Sequence, residues 1–285
     1  AATGNMRAGR QARARPMGIR VNGLRVAFRA LAQALSGPLP PPGGVHPEPL
    51  EDTFRPMTDS STPVYEIRKV LEPVGIGGAW DSPARRHANV LEVTHFMTDQ
   101  SGHRPEARLK MLYDNDKIYG MFLVHDQYVG CTHTQYQSEV CMDASVAVFL
   151  EPKPGQGYFT LEMNCCGHFR AWYVEDPTPK NGGFKKCREI PWDHGHTLRV
   201  FGSMDGRVEP EIEEPATWHV EFSMPFAYFE RYVGSLGDIP GQEWRGNFHK
   251  CAFGGSHPHG AAWAPLGPEN NFHQPDQFGT IVFEP

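Results

Sequence analysis

The 285-residue chain is long enough for one large β domain or two smaller ones. Its 30 glycines and 26 prolines favour many short strands over long helices, and no run of about 18 apolar residues is present to span a membrane. Charge is uneven: residues 1–47 hold seven arginines and no acid, so the other 20 basic residues face all 33 acids from Glu48 onward, a net −13 that argues against a nucleic-acid-binding surface on the body.

Taken in chain order, residues 1–47 are dominated by Ala, Arg, Gly and Pro. Leu24, Ala27, Phe28, Leu31 and Leu35 recur at helical spacing and predict a short amphipathic helix that ends at Gly37-Pro38. Small residues near Ala34 suit a cleavage zone, but Arg29 interrupts the apolar run, so the segment reads as an N-terminal extension rather than a clear signal peptide. A linker follows over residues 48–62, and one domain is expected over 63–285.

From Pro63 the pattern changes to period two. In Tyr158–Asn164 one face carries Phe159, Leu161 and Met163, and the other carries Tyr158, Thr160, Glu162 and Asn164. After the Cys165-Cys166-Gly167 turn, His168, Arg170 and Trp172 alternate with Phe169, Ala171 and Tyr173, which predicts a hairpin with one apolar and one polar face. Further strands are predicted over 108–113, 117–125, 145–151, 197–203, 218–223 and 280–284, with a turn at Asp114-Asn115-Asp116. Only 226–232 reads as helix in the body. Many short strands between turn signals predict an all-β fold, a two-sheet antiparallel β-sandwich.

Six cysteines contain no C-x-x-C pair, which removes the zinc-ribbon and thioredoxin readings. Cys131 and Cys141 are spaced to bridge a short excursion between strands, and the vicinal Cys165-Cys166 pair reads as two separate thiols.

Several stretches together resemble the family 9 carbohydrate-binding modules within the DOMON-like group of β-sandwiches. They include Ile76–Trp80, Lys110–Asp114, Val146–Pro152, Gly157–Phe159 with Glu162–Asn164, Trp244–Phe248 and Phe278–Phe283. A Trp-Arg-x-Asn-Phe-x-Lys-Cys stretch at 244–251, Ser-His-Pro-His at 256–259 and Asn-Phe-His at 271–273 match a stand-alone bacterial branch of that family. The resemblance covers most of 63–285. It implies a sandwich, secretion or export to the periplasm, binding of a saccharide or polysaccharide in glycan degradation, and bound calcium. Two departures stand out: Ala147 occupies a position where the family usually has an acid, and Gly260 one where the branch usually has Trp.

Saccharides are held by stacking on aromatic rings and by hydrogen bonds from amides, carboxylates and guanidinium groups. That chemistry selects Trp172, Arg170, Asn164 and Glu162 on the hairpin, and Trp263, Asn247, Arg245, His257 and His259 in the 244–263 region. Trp80 and Trp218 read as core. The pair His257 and His259, with His249 or His273, offers a transition metal too few ligands at recognisable spacing. The calcium that the resemblance implies points to oxygen ligands such as Asp126 or Asp143. Two alternatives to a non-catalytic binding protein remain: a glycosidase with Glu162 and Glu221 as its carboxylates, and a DOMON-type haem domain supported only by Met121, Met163 and the histidines.

Overall fold

The computed structural model describes residues 62–98 and 100–285. The N-terminal stripe at Leu24–Leu35 lies outside these residues. The strands are β1 (Val64–Lys69), β2 (Val90–Glu92), β3 (His95–Phe96), β4 (Glu106–Tyr113), β5 (Lys117–Asp126), β6 (Val129–Cys131), β7 (Ser145–Glu151) and β8 (Tyr158–Asn164). They continue with β9 (Phe169–Lys180), β10 (Gly183–Glu189), β11 (Arg199–Gly202), β12 (Val208–Ile212), β13 (Ala216–Pro225), β14 (Glu243–Ala252), β15 (His259–Ala262) and β16 (Gly279–Phe283). Two α-helices interrupt them, α1 (Trp192–Gly195) and α2 (Phe226–Val233).

Apart from β6 and β12, which pair with each other, the strands form two layers that share β1. One layer runs β10-β9-β8-β7-β14-β16-β1, with β15 on β14 and β3 on β15; the other runs β1-β4-β5-β13-β11, with β2 on β4. Val64–Ile67 pair with β16, and Arg68 and Lys69 cross to pair with β4. Both of these pairings are parallel. The expected sandwich is therefore present, but it is not purely antiparallel, because the strand that joins the layers runs the same way as its neighbour in each.

Period-two alternation explains the core. Val148, Leu150, Phe159, Leu161 and Phe248 point from the first layer onto Leu109, Phe122, Val124, Trp218, Val220 and Phe222 of the second, and all are buried in one cluster. Helix α2 covers an open end of that cluster: Phe229 packs edge-on against Trp244 at 5.3 Å between centroids. Burying such side chains stabilises by about 1.5–3 kcal/mol each relative to exposure. No helix of the described residues is long and apolar enough to cross a membrane.

Candidate functional site

The residues that alternate away from the core on β14, β7, β8 and β9 form a second face, and it is not solvated. Registers place His249 opposite Ala147, Ala147 opposite Glu162, and Glu162 opposite Arg170. The next row runs Asn247, Phe149, Thr160 and Trp172. Phe149, Tyr158, Thr160, Glu162, Asn247 and His249 are all buried. The loop 264–278 roofs them. Asn247 holds the start of this loop, its Oδ1 accepting the Ala264 N–H at 2.9 Å, and Arg245 holds the far end by donating to the Pro275 carbonyl at 2.7 Å. Between these anchors, Tyr158 and His273 Nδ1 form a hydrogen bond of 2.8 Å, and Phe272 stacks on His249 at 4.1 Å.

Under this roof the polar inventory is unbalanced. Arg170 donates to Glu162 at 2.8 Å and to Cys141 Sγ at 3.3 Å, a cross-strand ion pair that lies inside rather than on a wet surface. Thr160 Oγ1, Arg170 Nε and both ring nitrogens of His249 have no partner within the protein. Burial drives the His249 pKa well below the usual imidazole range, and His273 is pushed down to about 3, so both rings are neutral near pH 7. Buried polar groups in native proteins are nearly always paired, and leaving one unpaired costs about 1–3 kcal/mol. A row of such groups flanked by Phe149, Tyr158, Trp172 and Phe272 has the composition of a saccharide site: hydrogen-bonding groups set among aromatic rings.

A family model, carbohydrate-binding family 9, matches residues 84–283. The chain belongs to carbohydrate-binding family 9. A candidate carbohydrate-binding protein from Bacteroides uniformis shares the fold, with a TM-score of 0.68 at 21% identity over 79% of this chain and 100% of that one. Also similar is a family 9 module from Caldicellulosiruptor kristjanssonii, solved with glucose (TM-score 0.49, 12% identity, 78% of this chain and 96% of that one). The same module solved with cellotriose gives a TM-score of 0.48 at 12% identity, over 78% of this chain and 94% of that one. No curated protein sequence matches the chain significantly.

In this family 9 protein, Glu162, Arg170 and Trp172 lie together on the roofed face, whereas other residues selected from sequence do different work. Asn164 is fully buried, its amide donating to Asp143 and to the His133 carbonyl at 2.9 Å each. Asn247 and Arg245 pin the roof. Trp263 is a correction: it is buried against Tyr65 and Phe248 in the main core, so it is no stacking platform. Trp218 is core as expected, but Trp80 is only half-buried, with Lys110 Nζ 4.5 Å from its ring centroid.

The Ser-His-Pro-His loop has a structural explanation. Lys250 is fully buried, and its Nζ donates to His259 Nε2 at 2.8 Å and pairs with Asp126 Oδ2 at 3.1 Å. An ammonium only donates, so His259 Nε2 accepts and Nδ1–H donates to the His257 carbonyl at 2.8 Å. Burial, and then Lys250, push His259 down to about 3. His257 stacks on Tyr128 at 3.6 Å. His259 is therefore a buried acceptor rather than a saccharide contact, and Lys250 supplies the positive charge that a metal would bring to His103, Asp126 and His259. Neither carboxylate fits calcium. Asp126 receives Lys250, His103, Trp218 and the Gln127 amide, while Asp143 is ringed by Thr132, His133 and Asn164.

The carboxylate pair also fails. Glu162 faces outward from the first layer, while Glu221, paired with Arg85, faces outward from the second, with the whole core between them. Met163 lies in that core, and Met121, beside Glu221 in register, turns away from it, so the two cannot ligate one haem. Sequence reasoning missed Thr160 and Phe272 on this face and weighed His249 only as a metal ligand. The alternation that selected Glu162 also places Thr160 on its face, and His249 falls two residues after Asn247. Phe272 carries no such signal, because it reaches the face from a loop.

Proposed function

We propose that this protein binds a saccharide on the roofed face of its first layer, through Thr160, Glu162, Arg170 and His249, with Trp172 and Phe272 as stacking rings. The observation that carries the reading is the unpaired set of buried polar atoms at Thr160, Arg170 and His249. Family membership supports the same ligand class. Sugar hydroxyls both donate and accept, which matches a neutral imidazole that offers one N–H and one lone pair. Binding requires Phe272 to leave the His249 ring, while Asn247 and Arg245 keep the ends of the loop in place. Ala147 removes an acid from the centre of this face, and Glu162, its cross-strand neighbour, is the carboxylate that remains there.

The reading is of a non-catalytic protein exported from the cell to meet glycans where they are degraded; the resemblance read from the sequence supports export. Calorimetric titration against a panel of plant, algal and host oligosaccharides tests the binding. At least one should saturate at one per chain, and Thr160→Val, which keeps side-chain shape and removes the unpaired hydroxyl, should weaken it about 5- to 20-fold. No binding to any member, or equal binding by Thr160→Val, would overturn the reading.

A further inference from the structure

Away from the saccharide face, a sulfur cluster has no part in binding a sugar. Cys131 ends β6, and Cys165 and Cys166 form the turn from β8 to β9. Their three sulfurs lie within 4.8 Å of one another, and all three are free thiols. The spacing drawn from sequence, Cys131 with Cys141, is therefore not the neighbour relation in the fold, because Cys141 sits against Arg170 instead.

The backbone holds these sulfurs in place. The Cys165 N–H donates to Ala144 O at 2.9 Å, the Gly167 N–H to Asn164 O at 2.9 Å, and the Met204 N–H to Cys165 O at 3.2 Å. Gly202 presses so closely on this turn that a Cβ there would lie 2.2 Å from the Gly167 nitrogen. The cluster is thus preorganised by two segments distant in sequence. Cys131 and Cys165 are buried, and Cys166 is half-buried, which leaves one side accessible.

Cys166 presents its sulfur on the half-buried side of the cluster, and Cys131 and Cys165 complete an all-sulfur donor set. Thiolate ligands select soft ions. A metal bound at about 2.3 Å to each sulfur sets the sulfurs about 4 Å apart, inside the observed spread.

We propose that Cys131, Cys165 and Cys166 form a three-thiolate site for a soft, thiophilic metal ion. Three sulfur ligands suit Cu(I) directly, whereas Zn(II) takes a water on the accessible side as its fourth ligand. Binding releases the thiol protons to solvent.

The test uses the full chain, reduced and kept anaerobic, titrated with Cu(I) and separately with Zn(II) against chromophoric chelators. One ion per chain should be retained, with thiolate-to-metal charge-transfer absorption. Cys166→Ser, at a half-buried position, should lower affinity at least 100-fold with unchanged near-ultraviolet circular dichroism, and Cys187→Ser should stay within twofold. If Cys166→Ser perturbs the fold, protection of the three thiols from alkylation by the bound metal in the unmutated protein decides the matter. Failure to retain either ion, equal retention by Cys166→Ser, or peptide mapping that finds two of the three joined as a disulfide in protein isolated without reductant would overturn the proposal.

Discussion

His249 is where stability and binding should pull apart. Its ring is fully buried and neutral, and neither nitrogen has a protein partner. An unpaired buried polar group costs about 1–3 kcal/mol. His249→Leu removes that cost at similar volume and gives up the stacking on Phe272, worth about 0.5–1.5 kcal/mol. The free protein should therefore be unchanged or stabler by up to about 2 kcal/mol. The saccharide complex loses the hydrogen bonds that the ring supplies, about 1–3 kcal/mol, which is roughly 5- to 150-fold in affinity. Urea unfolding reads the first effect, and calorimetry with the tightest oligosaccharide of the panel reads the second. A variant destabilised by more than about 2 kcal/mol that binds normally would show the ring to be structural, and the reasoning would fail.

Trp192 is 59% exposed and lies off the roofed face, so Trp192→Ala should change saccharide affinity less than twofold, whereas Trp172→Ala should weaken it by about 1–3 kcal/mol in the same calorimetric assay. Lys250→Met should destabilise by about 3–5 kcal/mol in urea unfolding, because it strips the buried Asp126 carboxylate of its ammonium partner. His259 and His273 are held near 3 in the fold but titrate near 6.5 when unfolded, so the unfolded chain binds more protons between those values. Stability should be full above about pH 6.5 and fall with pH toward 3, by up to about 1.4 kcal/mol per unit per histidine; unfolding curves at pH 7, 6 and 5 with no such fall would contradict this.

Much of the first layer was legible because its signal is local. Strands β7 and β8 begin and end where alternation places them, and Glu162 does meet Arg170 across the hairpin. Helix α2 was placed from sequence to within one residue of its end. What alternation cannot show is which outward face stays wet. The polar side of β8 looked solvent-facing, yet the loop 264–278, about a hundred residues later, covers it. Trp263 misled for the same reason: aromatic composition marks a sugar site or a core equally, and only the packing against Tyr65 and Phe248 separates them. The histidines of 256–259 resembled half a metal site because metal ligands and buried acceptors share chemistry. The real partner of His259, Lys250, lies on the neighbouring strand, and no spacing rule connects the two. The parallel pairing of β1 with β16 was likewise hidden, since it joins the two ends of the domain.

The most direct measurement is a crystal structure of the chain with the tightest oligosaccharide of the panel. Sugar hydroxyls should lie within hydrogen-bond distance of His249, Thr160 and Arg170, with the Phe272 ring lifted from His249. A sugar held elsewhere, with Phe272 still stacked on the His249 ring and those polar atoms untouched, would contradict the assignment of the roofed face.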